Sequence, residues 1–359
     1  MEQISFLHTS NIINDDEYVD VHTEITSQKK LSVISLFSGC GGMDLGFVGG
    51  FRYLNKYYEA NPYEIVFAND IVDKACETYM HNLKHDATCL DIKDLKINDL
   101  PNSDIVIGGF PCQDFSLAGK RRGLNSSRGL LYLEMKKVIE HAKPKAFIAE
   151  NVDGIRKSVN GEDTSALDVI VNDFKLMGYN VEYKALNASS YGIPQNRVRV
   201  IIIGIRDDIK KHIKYPKPTH GDYTNTPLVT AKDAIDDLWD KIDEGNIHNH
   251  TKKDYSKAKF YEGKKMQGNC QINADRPAPT IRAEHHGNIE GHYRSLNRND
   301  SKNCEHWRRL SVRECARLQS FPDNFIFPCA ASSAYKQIGN AVAPVFAWHI
   351  ARAIYLSLQ

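Results

Sequence analysis

No CxxC pair and no tight Cys/His cluster occurs in this 359-residue chain, although it holds eight cysteines: Cys40, Cys76, Cys89, Cys112, Cys270, Cys304, Cys315 and Cys329. Their spacing excludes the common zinc frameworks and a disulfide scaffold. It predicts no metal and reduced thiols in a cytoplasmic protein. No apolar run reaches the roughly 18 residues of a membrane helix, and the N-terminus lacks a secretory pattern, so no membrane role is expected. Neither charge sign is in excess: 46 Lys and Arg against 45 Asp and Glu leave a net +1. Any surface for a polyanion must therefore be a local patch. GxGxxG is missing, as is the lysine of a phosphate-cradling loop. What is present is a globular composition, 42% hydrophobic and 25% charged, long enough for two domains.

The chain is organised around Gly108 to Gly123, GGFPCQDFSLAGKRRG. The apolar run SDIVIGG before it reads as a buried strand of a parallel sheet. Cys112 thus stands just past the carboxyl end of a strand, where open α/β sheets bind ligands. Pro111 stiffens the backbone entering Cys112. The segment with Lys120, Arg121 and Arg122 between glycines reads as a mobile basic loop.

Taken in order, residues 1–30 are polar and read as an extension outside the main fold. Leu31 to Phe37 is a strand, Ser38-Gly39-Cys40-Gly41-Gly42 a turn, and Met43 to Phe47 the start of a helix. Such a turn lets backbone approach a ligand, and it suits a nucleoside better than a triphosphate; a plain tight turn fits the same pattern. Glu64 to Ala68 is a second strand, ending near Asp70, where an acid suits ribose hydroxyls. Asp91 lies in a later loop. It could accept an adenine amine or simply cap a helix. Lys145 to Ala149 is a strand ending in Glu150, placed to donate a proton. Between the strands Asn180 to Leu186 and Val198 to Ile205 lies QNRVR. At strand spacing, Arg197 and Arg199 point to one face and act together on an anion or carbonyl. From Asp207 the rhythm breaks, and residues 206–308 are rich in Lys, Arg, His, Asn and Gly. RPAPTIRAEHHGN there offers Arg276, Arg282, His285 and His286 to base edges and phosphates. Ser311 and Glu314 form a capping box opening a helix.

LFSGCGGMDLGF, GGFPCQDFSLAGKRRG, ENV, QNRVR, RRLSVRECARLQSFPDNF and GNAV, in this order and spacing, resemble the DNA (cytosine-5)-methyltransferase family of the bacterial or phage modification type. The resemblance spans Leu31 to about Ala353. It implies a doubly wound, Rossmann-like α/β methyltransferase domain at 31–215, completed by 336–359, with a target-recognition domain and hinge inserted at 216–335. It implies S-adenosyl-L-methionine as cofactor, double-stranded DNA as partner and a flipped target base. Cys112 looks like the nucleophile on C6, Glu150 like the acid at N3, and Arg199 like the O2 ligand supported by Arg197. Phe37, Gly39, Gly41, Gly42, Asp70, Ile71, Asp91, Ile92, Pro111, Asn340, Ala341 and Val342 look like cofactor-pocket residues. Gln113, Ser116, Lys120, Arg121, Arg122 and Arg128 join the DNA-facing set. A monomer is expected, with a restriction endonuclease acting on the same site without direct contact. Ser35 departs from the family, which often carries an acid there. The competing readings are a tRNA-modifying relative, a catalytically silent DNA-binding protein and a dinucleotide oxidoreductase.

Overall fold

The computed structural model describes residues 16–25, 29–111, 131–157, 165–222, 224–257, 259–263, 269–283, 293–295 and 307–359. Seven strands form the main sheet: β1 (Leu31–Leu36), β2 (Tyr63–Asp70), β3 (Thr88–Cys89), β4 (Ile105–Gly108), β5 (Ala146–Val152), β6 (Tyr179–Asn187) and β7 (Val198–Arg206). Their order is β3-β2-β1-β4-β5-β7-β6. β1 to β5 pair in parallel, and β7 runs antiparallel to β5 and β6. Runs such as IVIG in β4 are buried along their length, as a parallel strand covered on both faces requires. The strand order reverses beside β1, so the crevice at the carboxyl ends of β1 and β4 is the expected ligand site.

The helices are α1 (Gly42–Val48), α2 (Asp73–Leu83), α3 (Leu131–Ala142), α4 (Ala166–Lys175), α5 (Ala231–Ile235), α6 (Val312–Leu318), α7 (Ala331–Asn340) and α8 (Pro344–Leu358). α1 and α8 cover one face of the sheet through Phe47, Phe346 and Ile350. α3 and α4 cover the other through Met135, Ile170 and Phe174. Ala331–Leu358, which includes α8, is long and apolar enough to cross a membrane, but its apolar stretch is mostly buried inside the protein, so that character serves the core.

Two boundaries differ from expectation. Residues 16–25 lie within the fold: Tyr18–Val19 pairs in parallel with Tyr215–Pro216, Glu17 meets Lys184 at 2.6 Å, and Val21 is fully buried. Arg352 of α8 donates to the carbonyls of Val21 and Thr23. The other difference concerns α7. A second core, built by Leu238, Ile281, Leu310, Cys315 and Phe325, also takes Ala334, Tyr335 and Ile338. α7 thus packs its apolar face on this core while Gln337 on it bonds to Cys40 and Lys74, and direct packing on the sheet begins at α8.

The Ser311 capping box forms as expected, with Ser311 Oγ accepting from Glu314 N at 3.1 Å and Glu314 Oε2 from Ser311 N at 2.7 Å. Glu314 does more than cap. Arg294 and Arg308 sit directly opposite each other on the antiparallel ribbon of Tyr293–Ser295 and Trp307–Arg309. Two facing guanidiniums repel. The fully buried Glu314 carboxylate joins them, with Arg294 Nη1 at 2.7 Å and Arg308 Nη1 at 2.7 Å. Burial alone would push the Glu314 pKa up; Arg308 and Arg294 overcome this and hold it well below the usual carboxylate range. Glu314→Ala leaves the buried Arg308 guanidinium without a counter-charge and Arg294 with only Asp236 at 3.8 Å, a change that costs about 3–5 kcal/mol. Urea unfolding should show a correspondingly lower midpoint; a loss under about 1 kcal/mol would mean the ribbon escapes into solvent.

Candidate active site

The carboxyl ends of β1 and β2 shape an open pocket. Phe37, just past β1, holds φ +53°, a left-handed conformation rare for a bulky residue and the kind of strain found at functional sites. Gly39 follows at φ +56°, and a Cβ placed on it meets nothing within 4 Å. Its far side is sealed: a Cβ on Gly41 would strike Leu83 at 2.3 Å, and one on Gly42 would strike the Val342 carbonyl at 2.4 Å. The turn is thus backed by protein and open in front. Asp70 braces it, Oδ2 accepting from Gly39 N at 2.8 Å and Oδ1 from Val72 N at 2.9 Å. Burial raises the Asp70 pKa, and the Val72, Gly39 and Ile71 amides pull the other way. Ile71 beside it is 62% exposed, an apolar surface left uncovered at the pocket mouth. Asp91 caps the turn Ile92–Asp94 through Lys93 N at 3.0 Å, as the helix-cap reading allowed; Ile92 is buried. Asn340 is exposed, Ala341 half-buried and Val342 buried.

Behind this turn Ser35, where the family often carries an acid, meets an acid on α1. Asp44 is fully buried and accepts from Ser35 Oγ at 3.0 Å and Tyr79 Oη at 2.9 Å. Burial pushes its pKa up to about 6, against the pull of those hydroxyls.

The second half of the site lies at the ends of β4, β5 and β7. Gly109, Phe110 and Pro111 carry the backbone to Cys112. Asn151 Nδ2 donates to the Phe110 carbonyl at 3.0 Å, fixing that approach. Glu150 is 8% exposed, and Arg199 Nε lies 2.8 Å from its Oε1. The register pairs Glu150 with Ile201 and Val152 with Arg199, so Glu150 and Arg199 are diagonal neighbours on one face, within reach of two long side chains. Burial lowers the Arg199 pKa, and the adjoining Glu150 opposes the shift. A Cβ on Gly109 would fall 3.2 Å from Glu150 Oε2. The carboxylate is therefore trapped between a guanidinium and the backbone leading to the cysteine.

The family model of C-5 cytosine-specific DNA methylases matches residues 31–356. The chain belongs to this family. It is similar to Type II methyltransferase M.BsuRI of Bacillus subtilis, at 34% identity over 99% of this chain and 86% of that protein. It is also similar to Type II methyltransferase M.NgoFVII of Neisseria gonorrhoeae, at 34% identity over 92% of this chain and 87% of that one. In fold it resembles the S. pombe Dnmt2 methyltransferase, with a TM-score of 0.63 at 20% identity, covering 92% of this chain and 98% of that one.

In this methylase the two arginines of QNRVR part company. Arg197 precedes the first residue of β7, so strand alternation does not govern it. It is 2% exposed and donates to the Ile281, Gly339 and Ala341 carbonyls, not to the anion or carbonyl shared with Arg199 that strand spacing suggested. The strip Arg276 to Ala283 is likewise partly committed to packing. Ala278 and Ile281 are fully buried, and Gln195 bridges to Ala278 in parallel; Arg276 and Arg282 remain exposed. Arg282 contributes to the electrostatics of both Arg197 and Arg199, which places its charge beside them. Cys112, Gln113, Ser116, Lys120, Arg121, Arg122, Arg128, His285 and His286 lie outside the described residues. Asn151, Gln195 and Gln319 went unassigned in the sequence, although each falls inside a quoted motif; buried amides within such motifs were the available signal.

Two measurements test this geometry. Gly109→Ala should push the Glu150 carboxylate aside and lower kcat by about tenfold, near 1.4 kcal/mol, with the melting temperature little changed; an unaffected kcat would mean Glu150 yields freely. For Asp44 the folded pKa of about 6 stands above the ordinary aspartate value of 3.8, so the folded state binds the extra proton. The associated stability is complete below the unfolded value and lost as pH rises through about 6. Between pH 4 and 7.5 the wild type should lose about 2 kcal/mol relative to Asp44→Asn. A pH-independent difference between the two would refute this.

Proposed function

We propose that this methylase transfers a methyl group from S-adenosyl-L-methionine to C5 of a cytosine within a specific double-stranded DNA sequence, with the target base flipped out and Cys112 bonded to its C6. The observation that carries the reading is the Glu150 carboxylate held by Arg199 against Gly109, three residues before Cys112. The Type II names of the similar proteins support a modification enzyme of a restriction-modification system, acting as a monomer beside an endonuclease that reads the same site.

The open front of the Gly39 turn fits a nucleoside, because a ligand can lie where a side chain would otherwise project. Asp70 would take the ribose hydroxyls through its remaining lone pairs, Asp91 the adenine amine, and Ile71 an apolar ring face. S-adenosyl-L-methionine supplies an electrophilic methyl group. The protein makes C5 nucleophilic. Cys112 adds as thiolate to C6 while Glu150 gives a proton to N3, and electron density moves to C5. Arg199 holds Glu150 through Nε, donates through Nη1 to the Val198 carbonyl at 2.8 Å, and would offer Nη2 to O2. After methylation, loss of the C5 proton expels the thiolate and restores the ring. A stacked, paired cytosine cannot meet Cys112, so the base must leave the duplex, at a cost of a few kcal/mol.

Bisulfite sequencing of DNA from expressing cells would define the site. A duplex carrying 5-fluorocytosine at the target should then trap a one-to-one covalent complex at Cys112, because fluorine blocks the final elimination. Cys112→Ser should form none and lose at least about a thousandfold in turnover, roughly 4 kcal/mol. Glu150→Gln should retain DNA binding and lose about 10²- to 10⁴-fold in kcat. Trapping at another cysteine, or wild-type turnover in either variant, would sink the assignment.

A further inference from the structure

One buried side chain touches three parts of the site at once. Arg197 Nη1 donates to the Ile281 carbonyl at 3.0 Å, and Nη2 donates to Gly339 at 2.8 Å and Ala341 at 3.1 Å. Ile281 directly precedes the exposed Arg282 of the inserted segment. Gly339 and Ala341 flank Asn340, and Ala341 and Val342 back Gly42 of the glycine turn. Arg197 itself stands two residues before Arg199. Two buried amides tighten the same junction. Gln195 Oε1 accepts from Ile281 N at 3.0 Å, and its Nε2 donates to the Leu318 carbonyl at 3.0 Å and to Gln319 Oε1. Gln319 Nε2 in turn donates to the Ala341 carbonyl at 2.6 Å. The packing leaves no slack: a Cβ on Gly339 would lie 2.5 Å from both Arg282 C and Ala283 N.

We infer that Arg197 is a positioning residue that couples cofactor binding to DNA binding, resting on the reading of this protein as an S-adenosyl-L-methionine-dependent DNA methylase. A guanidinium is a planar fork with fixed donor directions, so the carbonyls it joins cannot reorient independently. A cofactor that orders the Asn340–Val342 turn orders Gly339 and Ala341, and through Arg197 also Ile281 and the Arg282 backbone. DNA arriving second meets a segment whose ordering entropy has already been lost, and the two ligands reinforce each other without a change of shape. By linkage, DNA tightens the cofactor by the same factor. A lysine keeps the charge but holds one carbonyl at a time.

Titration calorimetry with S-adenosylhomocysteine, with and without the cognate duplex, measures the coupling. The wild type should bind it about tenfold more tightly on DNA, a coupling of about 1.4 kcal/mol. Arg197→Lys should keep each separate affinity within about threefold while the coupling falls below about twofold and kcat drops. A folded Arg197→Lys protein with the wild-type coupling overturns the inference, as does a wild type with none. Hydrogen exchange on the wild type decides the matter even where the variant does not fold. S-adenosylhomocysteine alone should slow exchange of the Ile281 amide, and unchanged protection across residues 278–283 overturns the inference. Complete failure to bind S-adenosylhomocysteine overturns the parent reading and this one with it; binding without coupling overturns this one alone.

Discussion

An antiparallel strand at the right place in a parallel sheet makes this site possible. β1 to β5 all end at one edge, and a further parallel strand would deliver only its carboxyl end there. β7 runs the other way, so its beginning lies at the edge where β5 finishes. Arg199 near the start of β7 therefore meets Glu150 near the end of β5 at 2.8 Å. The residues just before β7 fall at the same edge, which brings Gln195 and Arg197 against the pocket wall and the inserted segment. Reversing one strand thus gathers a buried carboxylate, its guanidinium partner and the junction of two cores into one place.

The two buried glutamates show how burial and charge are divided between structure and chemistry. Glu314 has no exposed side-chain surface and two guanidiniums, and its ionisation is locked by them. Glu150 has one guanidinium partner, and a tenth of its side chain remains accessible. A doubly clamped carboxylate neutralises a ribbon whose facing arginines would otherwise repel. A singly held carboxylate keeps one oxygen turned toward Gly109 and the approach to Cys112. The same residue type is fixed in one core and left available in the other.

The βα rhythm, the glycine turn and the Ser311 cap were legible because each depends on neighbours within a few residues. Leu31 to Phe37 reads as a strand from its own apolar run, and Glu314 reads as a capping partner from its spacing to Ser311. What escaped the sequence depends on distant partners. The start of β7 at Val198 was read correctly, but the different duties of Arg197 and Arg199 depend on the Ile281, Gly339 and Ala341 carbonyls, 84 to 144 residues further on. α7 divides from α8 because its apolar face meets Leu310 and Phe325, not the sheet. The buried contact of Ser35 with Asp44 likewise depends on α1 folding back against β1.

The anchoring of residues 16–25 has a consequence for the order in which the molecule is made. Val21 is buried beneath a guanidinium that lies 331 positions later in the chain. Tyr18 and Val19 pair with Tyr215 and Pro216, almost two hundred residues downstream. During synthesis this early segment must wait for Lys184 and Tyr215–Pro216 to emerge before it can pair. The Val21 and Thr23 carbonyls wait longer, until α8 emerges and Arg352 closes over them. Completion of the fold is tied to the arrival of its C-terminal helix, and a nascent chain stopped short of α8 carries an uncovered sheet face and a half-anchored N-terminal segment.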